Sequence, residues 1–267
     1  MGAYVHGYAE EELQRLYDQS KMLRDLFHRN VRYPAGSRVL EAGCGVGAQT
    51  AALIQNNPDA LIASVDISLE SLNLARTAAG NSAVDFLQAD IYSLPFPAET
   101  FDHIFVCFVL EHLSDPLGAL TKLKSLLKPG GTFTLIEGDH GSAFFHPDSE
   151  EARRVWNCLV DAQARLGGDS LIGRRLYPLL HEAQFQEIAV EPQFIYADAG
   201  RPEWVEWFTV KTITAMVKGV KEYSLQMGFI DEEEWEKGIQ ALLRTAAHPD
   251  GVFCYTFFKA TARKRRP

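Results

Sequence analysis

The chain has 267 residues, 46% of them hydrophobic and 23% charged, which is ordinary globular composition and long enough for one large domain or a domain with a substantial insertion. A formal net charge of −9 repels phosphate backbones and argues against nucleic acid as a partner; no apolar run reaches the roughly 18–20 residues of a membrane span. The four cysteines, Cys44, Cys107, Cys158 and Cys254, form no C-x-x-C pair and no zinc-like spacing, so reduced thiols, no metal site and a cytoplasmic location are expected.

In chain order, residues 9–30 read as an amphipathic helix with Leu13, Leu16, Leu23, Leu26 and Phe27 on one face, broken at Pro34-Ala35-Gly36. Beyond it, strand and helix patterns alternate. Strands are predicted at 38–41, 61–65, 84–88, 102–108 and 132–137, with helices at about 48–56, from Ser68, and from Asp115-Pro116 through Leu127. The 102–108 strand is apolar on both sides, as central parallel strands are. The alternation implies a parallel sheet with right-handed crossovers and ligands at the carboxyl ends of its strands. Further on, helices are predicted at about 149–166 and 171–183 and a strand at 187–197. Residues 202–246 read as wholly helical and rich in aromatics, and a last strand is predicted at 252–262. The basic run Arg263-Lys264-Arg265-Arg266 reads as a solvated tail.

The sharpest local signal is Val39-Leu40-Glu41-Ala42-Gly43-Cys44-Gly45-Val46-Gly47, a strand delivering the chain into a glycine turn before a helix. Glycines there permit positive φ and close approach of a ligand to the backbone. Taken alone the turn also satisfies a dinucleotide pattern, with Gly43, Gly45 and Ala48. The next strand ends at Asp66, where a carboxylate can accept two ribose hydroxyls, a need shared by nucleoside and dinucleotide cofactors. The third ends at Asp90, which could accept an adenine amino group with Ile91 against the ring. No Arg or Lys lies between Glu41 and Asp66 to meet a pyrophosphate, whereas Glu41 suits a ligand carrying an ammonium group.

These segments resemble, in order over about residues 35–140, the motifs of class I S-adenosylmethionine (AdoMet)-dependent methyltransferases. The likeness is closest to the ubiquinone/menaquinone-biosynthesis, methyltransferase-domain-11 type. Glu41-Ala42-Gly43-Cys44-Gly45-Val46-Gly47 is similar to their E/D-x-G-x-G-x-G turn, and Asp66 to the acid ending their second strand. Asp90 lies in a Q-A-D-x-x-x-L-P-F stretch like theirs. Phe101-Asp102-His103-Ile104, Glu111-His112-Leu113 and Lys128-Pro129-Gly130-Gly131 resemble their F-D-x-V/I, E-H-L and K-P-G-G segments. The resemblance implies an α/β, Rossmann-like seven-stranded, mostly parallel sheet with an antiparallel last strand, to which the residue patterns add an N-terminal helix and a helical insertion. It implies AdoMet as cofactor, held by Glu41, Gly43, Cys44, Gly45, Asp66, Ile67, Asp90, Ile91, Phe108 and Val109. The segments read as 1–34 over the cofactor site, 35–200 as the AdoMet-binding domain, 201–247 as a helical insertion that is either a lid or a packing or dimer surface, and 248–267 as final strand and basic tail.

AdoMet carries a good leaving group, so in-line displacement needs the nucleophile placed opposite sulfur and a base only if the acceptor must lose a proton. His112, Glu137 and His140 are the candidate catalytic residues, with Glu111 and Asp139 beside them. Tyr4, Tyr8, Gln19, Asp139, Trp204 and Trp207 are candidate substrate contacts, the first three because related enzymes fold such N-terminal segments over the site. The expected activity is methyl transfer to a partly apolar small molecule. A protein or RNA methyltransferase, an NAD-dependent oxidoreductase and a non-catalytic AdoMet-binding regulator are the alternatives. Acidic charge and the lack of an N/D-P-P-Y/F motif in Cys107-Phe108-Val109-Leu110 weigh against RNA, and an oxidoreductase has no role for Asp90 or the E-H-L segment.

Overall fold

A computed structural model of the chain describes Leu23, residues 26–80 and residues 82–266. Among these, strands β1 (Arg38–Ala42), β2 (Leu61–Asp66), β3 (Val84–Gln88), β4 (Phe101–Cys107), β5 (Leu127–His146), β6 (Gln186–Asp198) and β7 (Val252–Arg263) form one sheet. The strand order is β3-β2-β1-β4-β5-β7-β6. Pairings from β3 through β5 are parallel, while β7 runs antiparallel to both β5 and β6. The sheet therefore has the expected Rossmann-like form with its last strand reversed. Side chains alternate between two cores. Phe105 and Cys107 of β4 join one hydrophobic cluster and Ile104 and Val106 the other, because successive strand residues face opposite sides.

Helices α1 (Thr50–Asn56), α2 (Leu69–Ala79), α3 (Pro116–Leu126), α4 (Glu150–Arg165) and α5 (Leu176–Glu182) cover the sheet. Their starts are chemically marked. Ser68, Asp115 and Ser149 accept backbone N–H groups of Ser71, Gly118 and Ala152 in the first turns of α2, α3 and α4. The sequence places one helix over 171–183; the structure opens it as a 3₁₀ turn (Ile172–Arg175) before α5.

Two features depart from the sequence reading. The strand predicted at 132–137 is part of a 20-residue β5, which reaches back to Leu127 and onward to His146. Its far end pairs with the start of β7, Phe144 to His146 opposite Cys254 to Val252, after a register shift between Asp139 and Phe144. Glu137-Gly138-Asp139 is thus regular strand, paired with Phe258 to Thr256, and His140 opens the bulge, whose kink re-aims side chains. The stretch read as wholly helical is interrupted. Helix α6 opens with an α-turn (Pro202–Trp204), continues as a π-helix (Val205–Thr214) and returns to α over Ala215–Lys218. Helices α7 (Lys221–Gln226) and α8 (Glu232–Ala247) follow after breaks, the second at Gly228 with φ +69°. The hydroxyls of Thr212 and Thr214 bond the carbonyls of Trp207 and Thr209, each five residues back, which matches the π spacing. A capping box of Asp231 and Glu234 starts α8.

Candidate active site

The turn after β1 takes its shape from glycines and from β2. Gly43, Gly45 and Gly47 have φ of +79°, +50° and +83°. The N–H groups of Gly43 and Cys44 both donate to Val65 O, at 2.8 and 3.0 Å, and that of Gly45 donates to Asp66 Oδ2 at 2.8 Å. A Cβ at Gly43 would collide with Val109 at the end of β4, and one at Gly47 would come within 2.9 Å of the Ala75 backbone in α2. A Cβ at Gly45 would meet nothing within 4 Å, so this side of the turn is open space.

Asp66 stands at the rim of that space. Its Oδ1 accepts Ser68 N–H at 2.9 Å, so each oxygen holds one backbone donor and keeps further acceptor capacity. Ile67 beside it is 46% exposed, an unusual position for an isoleucine. Asp90 is exposed and caps the 3₁₀ turn Ile91–Ser93 through Tyr92 N–H at 2.9 Å, with Ile91 half-buried. Tyr92 in turn ties this loop to Asp115 through its hydroxyl.

Glu41 lies beneath the turn, 2% exposed. Thr50 Oγ1 and Ser64 Oγ both donate to its Oε2 at 2.6 Å, while Oε1 has no partner among the described residues. Burial raises its pKa to about 7, against the lowering effect of the two hydroxyls. Neither Thr50 nor Ser64 stands out in the sequence; the β1–β2 pairing sets Ser64 opposite Glu41, and the start of α1 brings Thr50 to it.

After β4, Phe108 adopts φ +55°, an uncommon backbone for a bulky residue. Glu137 of β5 holds the following turn. Its Oε1 accepts the N–H groups of Val109 and Leu110 at 3.0 and 2.8 Å. Glu137 is fully buried, and burial followed by the neighbouring Glu111 carboxylate pushes its pKa well up. His112, on the 3₁₀ turn Leu110–His112, lies 3.3 Å from Glu111 Oε1.

Asp139 is buried and bound in a bidentate ion pair by Arg174 at 2.7 and 2.8 Å, and it also accepts Gly141 N–H. His140 is buried with Nδ1 2.6 Å from the Tyr255 hydroxyl, and its carbonyl accepts Trp156 Nε1–H at 2.9 Å. Neither Arg174 nor Tyr255 could be found from sequence motifs: each reaches the strand ends only through tertiary packing. Trp204 stacks edge-on against Trp207, 5.7 Å between centroids, with the Arg201 guanidinium over its other side. Trp207 is buried, and its Nε1–H has no partner among the described residues. Phe208 beside it packs on Tyr255 and Phe257 of β7, and Phe257 packs on Phe108 and Phe27. Tyr4, Tyr8 and Gln19 lie outside the described residues.

A family model described as "Methyltransferase domain" matches residues 40–135. An uncharacterized methyltransferase of Schizosaccharomyces pombe is 30% identical over 191 residues, 66% of this chain and 67% of that protein. The 27-O-demethylrifamycin SV methyltransferase of Amycolatopsis mediterranei is 26% identical over 83% of this chain and 77% of its own length. Among solved structures, Haemonchus contortus phosphoethanolamine N-methyltransferase 2 in complex with S-adenosyl-L-methionine superposes with a TM-score of 0.57 at 17% identity. That match covers 93% of this chain and 53% of the other, a likeness of fold.

Proposed function

The chain belongs to the AdoMet-dependent methyltransferases, and from that premise we propose that it transfers a methyl group to a small, partly apolar acceptor by in-line displacement. The observation that carries this reading is the open face of Gly45 beside the Asp66 carboxylate. A glycine with free space over it lets a ligand touch the backbone, and a carboxylate pinned at that rim offers paired acceptors to a ribose diol. The unpartnered Oε1 of Glu41 suits a ligand that brings a positive charge, whereas the Glu41 and Asp66 carboxylates disfavour a pyrophosphate.

In this reading Gly43, Cys44 and Gly45 line the amino-acid end, with Glu41 beneath. Asp66 and Ile67 hold the ribose, Asp90 and Ile91 the adenine, and Phe108 and Val109 the sulfur side. The bound cofactor supplies an activated methyl on a sulfonium leaving group. The protein's part is to orient the acceptor and exclude water. Glu137 keeps the Phe108–Leu110 turn in place by its two amide bonds and acts there as a positioning residue. Residues 1–34, 35–200, 201–247 and 248–267 serve as N-terminal cover, cofactor domain, acceptor-side lid and closing strand with tail. The aromatic layer Phe208, Phe257 and Phe108 supports an apolar acceptor. Four free, buried cysteines support a cytoplasmic setting, and among the described residues no helix is long and apolar enough to cross a membrane. The test is a metabolite screen with methyl-labelled AdoMet. Label in a small molecule supports the reading, and label only in protein or RNA fractions rejects it.

A further inference from the structure

The β5 bulge carries a polar pair that cofactor binding leaves unused. Tyr255 stands on β7 between the paired rows Asp139–Thr256 and Phe144–Cys254. Its hydroxyl passes over Gly138, where a Cβ would collide with it, and lies 2.6 Å from His140 Nδ1. A phenol that donates its one proton to His140 Nδ1 keeps its lone pairs for a further donor.

We propose that Tyr255 and His140 form a proton relay for an acceptor that is methylated on a hydroxyl oxygen. This rests on the methyltransferase reading above and adds the acceptor atom. An amine attacks as the free base and a thiol ionises readily, but an alcohol or phenol needs its proton taken as it attacks. In the step, the acceptor oxygen forms a bond to the methyl carbon as the carbon–sulfur bond breaks, its electron pair staying on sulfur. The acceptor's proton passes to Tyr255 Oη while Tyr255's own proton passes to His140 Nδ1, leaving a neutral ether and an imidazolium. The surroundings agree with that charge change. Burial, then Glu111, Asp139 and Glu137, raise the Tyr255 pKa well above its usual range, so the resting tyrosine holds its proton. The Glu111 carboxylate favours a cation nearby, while Arg174 offsets Asp139. Phe208 of α6 packs on the Tyr255 ring, 6.1 Å between centroids.

Nitrogen NMR of histidine-labelled protein tests the proton's place without any acceptor. At neutral pH, His140 should show an unprotonated Nδ1 and a protonated Nε2, and Tyr255→Phe should shift the Nδ1 resonance. A protonated Nδ1 in the wild type overturns the relay. Methyl transfer from labelled AdoMet is then measured with catechol against ethanolamine and cysteine as probes. Label should enter catechol, and Tyr255→Phe should lower kcat by roughly 100-fold with AdoMet affinity within about twofold of wild type. Label confined to the amine or thiol, or an unchanged kcat in Tyr255→Phe, overturns the proposal while the methyltransferase reading stands. Failure of the wild type to bind AdoMet in calorimetry removes both.

Discussion

Each carboxylate oxygen of Asp66 already accepts one backbone N–H, from Gly45 and from Ser68, so this residue shapes the turn as well as offering lone pairs to a ligand. Asp66→Ala should remove a charge-assisted pair worth on the order of 2–3 kcal/mol, lowering AdoMet affinity by roughly 30–150-fold. Calorimetry giving wild-type affinity in a folded variant would reject the ribose role. Asp66→Asn, which keeps an acceptor for Gly45, separates loss of the turn from loss of the charge. Glu41 makes a different prediction. Its pKa rises from the usual 4.5 to about 7 in the folded protein, chiefly by burial. The folded state therefore binds this proton more tightly than the unfolded chain. The stability this contributes is fully present below pH 4.5 and is lost as pH rises through 7, at most about 3 kcal/mol. Glu41→Gln should accordingly gain stability relative to wild type by roughly 1–3 kcal/mol more at pH 8 than at pH 4.5 in ligand-free denaturant titrations. An equal difference at both pH values would show that another group titrates.

Helix α6 is the element whose behaviour departs furthest from its sequence. Its π-helical stretch buries Trp207 and Phe208 together with Thr209, Thr212, Ile213 and Thr214, so the aromatic pair faces inward. π-Helical segments are rare and recur at functional sites, because their wider turn forfeits regular i→i−4 bonding. The Trp207 Nε1–H, buried without a described partner, gives this segment a donor as well as apolar area. The lid role proposed for α6 predicts that it governs acceptor use and not cofactor binding. Trp207→Phe keeps the ring and loses the donor. It should raise the acceptor KM by about tenfold, the worth of one hydrogen bond, with AdoMet affinity unchanged. A variant with normal acceptor kinetics and altered oligomerisation would make α6 an assembly surface instead.

At the level of the whole molecule, the residues proposed to hold the cofactor come from loops after β1, β2, β3 and β4, and Glu137 of β5 braces the last of them. A ligand bridging these loops is bound by the folded state alone and so stabilises it by mass action. At AdoMet concentrations 100 times Kd the gain should be about 2.7 kcal/mol, read as a rise in the thermal midpoint. NAD at the same concentration should give no shift, because the Glu41 and Asp66 carboxylates beside the turn disfavour a pyrophosphate. A shift with NAD and none with AdoMet would overturn the cofactor assignment.

The sequence by itself determined the class of fold and its ligand-facing ends. Strand-helix alternation, glycines at 43, 45 and 47, and acids at the ends of successive strands are local patterns, and parallel connectivity gathers such strand ends along one edge of the sheet. Helix starts were legible for the same reason, since a capping side chain bonds a backbone group three residues on. The course of the chain from Glu137 to His146, and the side-chain partners at the strand ends, were decided by tertiary contacts. Whether Glu137 to His146 is loop or strand depends on β7, more than a hundred residues later, offering free backbone groups to pair with. The partners of Glu41, Glu137, Asp139 and His140 are distant in sequence, and a buried carboxylate or imidazole takes its role from whichever donors the fold brings to it. No spacing rule connects Tyr255 to His140; the bulge in β5 and the glycine at 138 do so, because only a backbone without a Cβ leaves room for the hydroxyl to cross.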